Sequence, residues 1–299
     1  MHIPDGFLST PVWAALDAAA APAAAIVVRR AQRTFDPARV PALGVMGAFV
    51  FAAQMINFPV GAGTSSHLVG GALLAYTLGP AAASVVMIAI LAIQSLVFQD
   101  GGLLALGANV VNMAVLGVLA GYLPYYLWGA GPKRKFAIFA GGMLSVLVSA
   151  ILALSELIAS GVPMPHAALA LSMGIFAVSA VLEGAITLVV VQGLDAIQPN
   201  FVRRPAAERP AAMGALGLAA VLLGAVGVLF ASTAPDGIER LTRFDTASAA
   251  APWLNKAVAG LGGIALIYAL CLCIGRLVAR PTPARQLRVG WGPRRRGSA

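Results

Sequence analysis

The sequence predicts an all-α integral membrane protein: a seven-span helical bundle followed by a C-terminal two-span hairpin with an external loop. Three observations carry this. Of 299 residues, 60% are hydrophobic and 10% charged, and the mean hydropathy is +0.88, too apolar for a water-soluble domain. Apolar runs approaching the about 20 residues that cross a bilayer follow one another along the chain. Lys and Arg gather in alternate connections, as cytoplasmic loops do.

The runs fall at about 11–28, 40–57, 66–80, 81–98, 103–128, 136–160, 167–194, 212–231 and 255–279. The third is short, and Gly79-Pro80 must make a tight turn between two helices or kink one longer element. With the N-terminus outside, all basic residues except Arg240, Arg243 and Lys256 fall on the cytoplasmic side, in Arg29–Arg39, Lys133–Lys135, Arg203–Arg209 and the segment from Arg276 onward. The hydrophilic break Asp195–Ala211, with Pro199, Pro205 and Pro210, divides the chain into a bundle (1–200), a cytoplasmic linker (201–211) and a hairpin with a basic cytoplasmic tail (212–299). The formal charge of +9 follows from this topology, with anionic lipid as counter-charge, and calls for no nucleic acid. The placement expected is the cell (inner) membrane, multi-pass. No basic residue precedes Arg29, so the first residues read as mature protein rather than a signal peptide, with Met1 retained before the bulky His2.

The expected topology puts the three histidines, His2, His67 and His166, on the external side. In Met1-His2 the α-amine, the His2 backbone nitrogen and the imidazole can chelate one cation through fused rings. An amide nitrogen binds only after losing its proton, which Ni²⁺ and Cu²⁺ promote through planar coordination. His67, after the Gly/Ser/Thr-rich loop Pro59–Ser66, can supply a fourth nitrogen; on its own it reads as an interfacial or packing residue at a capped helix start, and the His2 chelate reverses that balance. His166, after Pro163-Met164-Pro165, reads as a helix-start residue outside the site. Asp17, Glu156 and Glu183 lie within spans, where ionisable groups are costly. They either bond between helices or meet a partner or passing cation. Asn57, Gln94, Asn109 and Asn112 can hydrogen-bond between helices. Ala14, Ala18, Ala21 and Ala25 form a small-residue seam on the first span, for internal packing or for a partner subunit. Cys271 and Cys273 read as packing residues. A phosphate-binding Gly-x-x-x-x-Gly-Lys-Ser/Thr loop is absent, so ATP hydrolysis by this chain is not expected.

Met1-His2-Ile3-Pro4-Asp5-Gly6-Phe7-Leu8-Ser9, Phe51–Val60, Thr64-Ser65-Ser66-His67-Leu68, Asp100-Gly101-Gly102-Leu103 and Ala105–Met113 closely resemble the CbiM/NikM family over about residues 1–200. The resemblance implies the substrate-binding S component of an energy-coupling factor transporter for nickel or cobalt. Its partners would be a transmembrane T component and two ATP-binding subunits, and its metal site would map onto Met1, His2 and His67. Pro235-Asp236-Gly237-Ile238-Glu239 is similar to the PDGLE-type hairpin fused to such proteins, with Ile238 in place of leucine. The chain is thus expected to be no enzyme and to hold no cofactor, the metal being its cargo, with nickel favoured. A self-sufficient channel or secondary transporter is the alternative, although related halves are not evident.

Overall fold

A computed structural model describes residues 1–61, 64–198, 202 and 253–278. Residues 1–9 form a tail that turns at Asp5-Gly6 and ends at Ser9, and Pro11 then sits at the start of α1 (Thr10–Thr34), where its missing N–H costs nothing. Next come α2 (Val40–Gln54), a two-stranded antiparallel hairpin of β1 (Phe58–Gly61) and β2 (Thr64–Ser66), and α3 (Gly71–Leu78). The long helices α4 (Pro80–Phe98), α5 (Leu106–Trp128), α6 (Arg134–Ala159) and α7 (His166–Ile197) follow. The last described helix is α8 (Trp253–Val278).

Among the described residues of 1–200, seven helices of eight residues or more follow in the expected order, but they are unequal. Among the described residues, six helices are long and apolar enough to cross a membrane: α1, α4, α5, α6, α7 and, through Gly260–Leu277, α8. The α2 helix, expected to reach residue 57, stops at Gln54, because Asn57-Phe58-Pro59 leads into the strand pair. The α3 helix has 8 residues, about 12 Å of rise, well short of a span. Gly79 decides between turn and kink: its φ of 84° closes α3, and Pro80 then opens α4. The strand pair was not expected from a loop rich in Gly, Ser and Thr. The expected span 212–231, the linker apart from Val202, and the loop with Pro235-Asp236-Gly237 lie outside the described residues.

Burial explains the sorting. The sequence of α2 is apolar on every face, and nearly all of it is buried, as an element enclosed by other helices requires. All of α3 is buried too. Around them the longer helices keep large apolar side chains on the outside, including Ile26, Leu119, Leu123, Ile151 and Val189, which only lipid can solvate favourably. The α1 helix is the least enclosed, and Ala14, Ala18, Ala21 and Ala25 all lie exposed; the alanine seam is not used for packing within the described residues.

The α8 helix runs antiparallel along α2, matched by glycines. A Cβ on Gly47 would come to 2.7 Å from Cys271 Sγ and one on Gly44 to 3.0 Å from Tyr268. In the other direction, Gly275 receives Val40 and Gly263 receives Phe51. Small residues of this kind let helix backbones approach closely in lipid. At the end away from the tail, Arg134 Nη2 pairs with Asp195 Oδ2 at 2.6 Å, joining the start of α6 to the end of α7.

Candidate metal centre

The tail folds inward over the bundle, and Met1, His2 and Ile3 are buried. Its anchors are directional. Ile3 N–H donates to Asn109 Oδ1 at 2.9 Å, while the Ile3 carbonyl accepts from Asn109 Nδ2 at 3.1 Å and from Gly102 N–H at 2.9 Å. The Asp5 carboxylate accepts the N–H groups of Leu103 (3.0 Å) and Leu104 (2.8 Å). Asp17 Oδ1 accepts from Gly107 N–H at 2.8 Å, tying α1 to the start of α5. Gly101 permits this closeness: its φ is 90°, and a Cβ there would lie 3.1 Å from His2 Cβ and 3.3 Å from Asn109 Nδ2.

These anchors bring Met1, His2 and His67 together. The α-amino nitrogen of Met1 lies 3.1 Å from His67 Nε2. The rings of His2 and His67 stack, with centroids 5.3 Å apart and planes 9° from parallel. His67 Nδ1 lies 2.9 Å from the Leu68 carbonyl oxygen. A carbonyl only accepts, so Nδ1 carries the proton and Nε2 turns its lone pair toward Met1. Burial, followed by the N-terminal ammonium and His2, lowers the His67 pKa to about 4, against weaker opposition from Asp100 and the Leu68 carbonyl. The ring is therefore neutral at pH 7 and able to donate its lone pair to a metal.

His2 Nδ1 faces Asp100 Oδ1 at 3.0 Å. The other ring nitrogen of His2, Nε2, is buried with no hydrogen-bond partner among the described residues. Burial on its own would raise the Asp100 pKa. The charge and hydrogen-bonding capacity of His2, aided by His67 and the N-terminal ammonium, instead hold the carboxyl well below the usual carboxylate range. About half of the Asp100 side chain is exposed, 51%, so it presents a negative charge at the edge of an otherwise buried nitrogen cluster. Among the described residues, no group of three or more His, Cys, Asp or Glu side chains is placed to hold a metal. A site here must draw on the amine and the main chain, as the Met1-His2 chelate does.

The other sequence candidates separate cleanly. His166 is exposed at the first residue of α7. Glu156 Oε2 accepts from Asn112 Nδ2 at 2.8 Å, bridging α6 and α5. Glu183 accepts the N–H groups of Val69 (2.7 Å) and Gly70 (2.8 Å), immediately beyond the His67-Leu68 pair. Gln54 Nε2 donates to the Val69 carbonyl at 2.7 Å, and Gln94 Nε2 to Gln54 Oε1 at 2.8 Å. Sequence reasoning missed Asp5 and Asp100 beside the candidate ligands, because their partners lie about a hundred residues away along the chain.

The family model described as the cobalt uptake substrate-specific transmembrane region, CbiM, matches residues 2–201. The chain belongs to the CbiM family. It is a multi-pass membrane protein of metal transport, and the family and its relatives are transporters rather than enzymes. A putative metal transport protein of Haloquadratum walsbyi is 38% identical over 203 residues, covering 68% of this chain and 93% of that protein. A putative fused nickel transport protein NikMN of Archaeoglobus fulgidus is 37% identical over 239 residues, 78% of this chain and 77% of that one. That match continues past the CbiM region, consistent with a fused C-terminal extension. Among solved structures, a truncated transition metal transporter superimposes with a TM-score of 0.57 at 36% identity, over 65% of this chain and 98% of that chain.

Proposed function

We propose that this CbiM chain is the substrate-binding S component of an ATP-driven energy-coupling factor transporter. In this reading it captures nickel, or less favourably cobalt, at the external side of the cell membrane. The observation that carries the reading is the approach of the Met1 amine to His67 Nε2 at 3.1 Å, beside the stacked ring of His2. The amine, the His2 amide nitrogen, His2 Nδ1 once its proton has moved from the Asp100 side to Nε2, and His67 Nε2 form the proposed donor set. All-nitrogen planar coordination with a deprotonated amide favours nickel over cobalt. Relatives named for fused nickel transport and for cobalt transport are both similar to this chain.

Capture releases protons, because the amine and the amide must lose theirs to bind. A divalent ion adds two positive charges as two protons leave, so the buried pocket keeps its net charge, with the Asp100 carboxylate as counter-charge throughout. The external placement is supported by the described basic residues Arg29–Arg39, Lys133–Lys135 and Arg276, which all lie at the opposite end of the helices from His2 and His67. The exposed alanine face of α1 supports a T component as membrane neighbour, and two ATP-binding subunits supply the energy.

The test is competitive titration of the purified chain with Ni²⁺ and Co²⁺, with and without residues added ahead of Met1. Tight Ni²⁺ binding abolished by the extension is expected; unchanged binding would overturn the site. Uptake of radiolabelled nickel into vesicles should require the T component and both ATP-binding subunits. Full uptake by this chain alone would favour a channel or secondary transporter.

A further inference from the structure

Glu183 lies midway along α7 with 1% of its surface exposed. A buried carboxylate in a membrane span is costly, and among the described residues no salt bridge offsets it. Its oxygens are instead committed to two consecutive main-chain groups, Oε2 to Val69 N–H and Oε1 to Gly70 N–H. Capping α3 requires less than this: a hydroxyl or amide side chain within the loop serves most helix starts. What distinguishes this arrangement is the peptide unit that Glu183 grips.

The Val69 N–H belongs to the same rigid plane as the Leu68 carbonyl, and in a trans peptide the two groups point in opposite directions. The Leu68 carbonyl is the acceptor for His67 Nδ1–H at 2.9 Å. A continuous line therefore runs from the Glu183 carboxylate through the Leu68–Val69 peptide and across the His67 ring to Nε2, which faces Met1. Rotating that plane would break the bonds at both ends. An anion at the N–H end also polarises the carbonyl, making it a better acceptor and the imidazole a stronger donor to metal. Gln54 holds the next carbonyl, that of Val69, which limits the slack in this irregular segment.

Building on the metal site proposed above, we propose that Glu183 is a positioning residue for His67, fixing its tautomer and ring orientation through the Leu68–Val69 peptide. Glu183 never touches the ion. It makes α7 a structural determinant of affinity at a site to which that helix contributes no ligand.

The experiment uses the full chain in nanodiscs with Ni²⁺ alone as probe, comparing wild type, E183Q, H67A and the double variant. E183Q keeps size and shape but replaces one acceptor oxygen with a donor, and it should weaken Ni²⁺ binding about 10- to 100-fold. In the H67A background it should change the residual affinity by less than twofold, because the residue through which it acts is gone. A merely structural role would produce the same fold-loss in both backgrounds, and that result would overturn the proposal. Nitrogen-15 NMR of the metal-free wild type should show His67 protonated on Nδ1. An Nε2–H tautomer would also overturn it, and this measurement needs no variant to fold. If H67A weakens binding and E183Q does not, only the role of Glu183 fails; if H67A binds as wild type, the metal site fails and this inference with it.

Discussion

The end of the bundle that carries the histidines and the seam between α2 and α8 are both tightly closed, but by different means. At the first, short directional bonds fix individual atoms: Asn109 holds Ile3 from both sides, Asp5 takes two loop amides, and Glu183 takes two more. At the second, glycines admit the bulk of Cys271, Tyr268, Val40 and Phe51 from the facing helix, so shape does the holding. Directional bonds set the sub-ångström positions that metal ligation needs, whereas shape fixes how closely two helices lie and tolerates compensating changes in volume.

Perturbations should separate the two regions. The largest effect is expected at the ligands, where H67A or an N-terminal extension should cost at least about 100-fold in Ni²⁺ affinity, or about 2.7 kcal/mol; calorimetric titration reads this directly. Loosening the tail with N109A should cost about 10-fold in affinity, on the scale of supporting groups around a metal, and native-state proteolysis should reveal earlier cleavage near residues 1–9. At the seam, G47L should lower stability by about 1–3 kcal/mol through overpacking, seen as a reduced Tm in nanodiscs, while the folded fraction binds Ni²⁺ within twofold of wild type. A shift in affinity there would mean that the regions are coupled. The smallest effect is a rescue: G47A places a methyl against Cys271, and C271A should recover part of the lost stability, so the double variant is more stable than the sum of the singles.

The sequence exposed the ligands more readily than their supports. Met1 and His2 are adjacent, and a dipeptide chelate can be read without a fold. His67 was recoverable because histidines are few and the alternation of basic loops put it on the same side. Asp100 and Asp5 were not recoverable, since a carboxylate in a turn looks alike whether it meets solvent or a chain segment 98 residues away. The intramembrane acids drew notice through their cost, but only tertiary geometry shows that Glu183 grips the peptide behind His67 while Glu156 meets an asparagine. Hydropathy located the long helices; it overextended α2 and lengthened α3, because buried short helices in a membrane protein are as apolar as spanning ones.

The anchors of the tail bear on biogenesis. Ile3 bonds to Asn109, 106 positions further on, and Met1 to His67, 66 positions on. During synthesis the amino end emerges first, yet its receptor is complete only after α5 has been made and inserted. The first residues therefore wait unbound until then, and docking them closes long loops at an entropic cost that grows only slowly with their length. Processing enzymes that act on newborn chains thus meet these residues before the fold protects them.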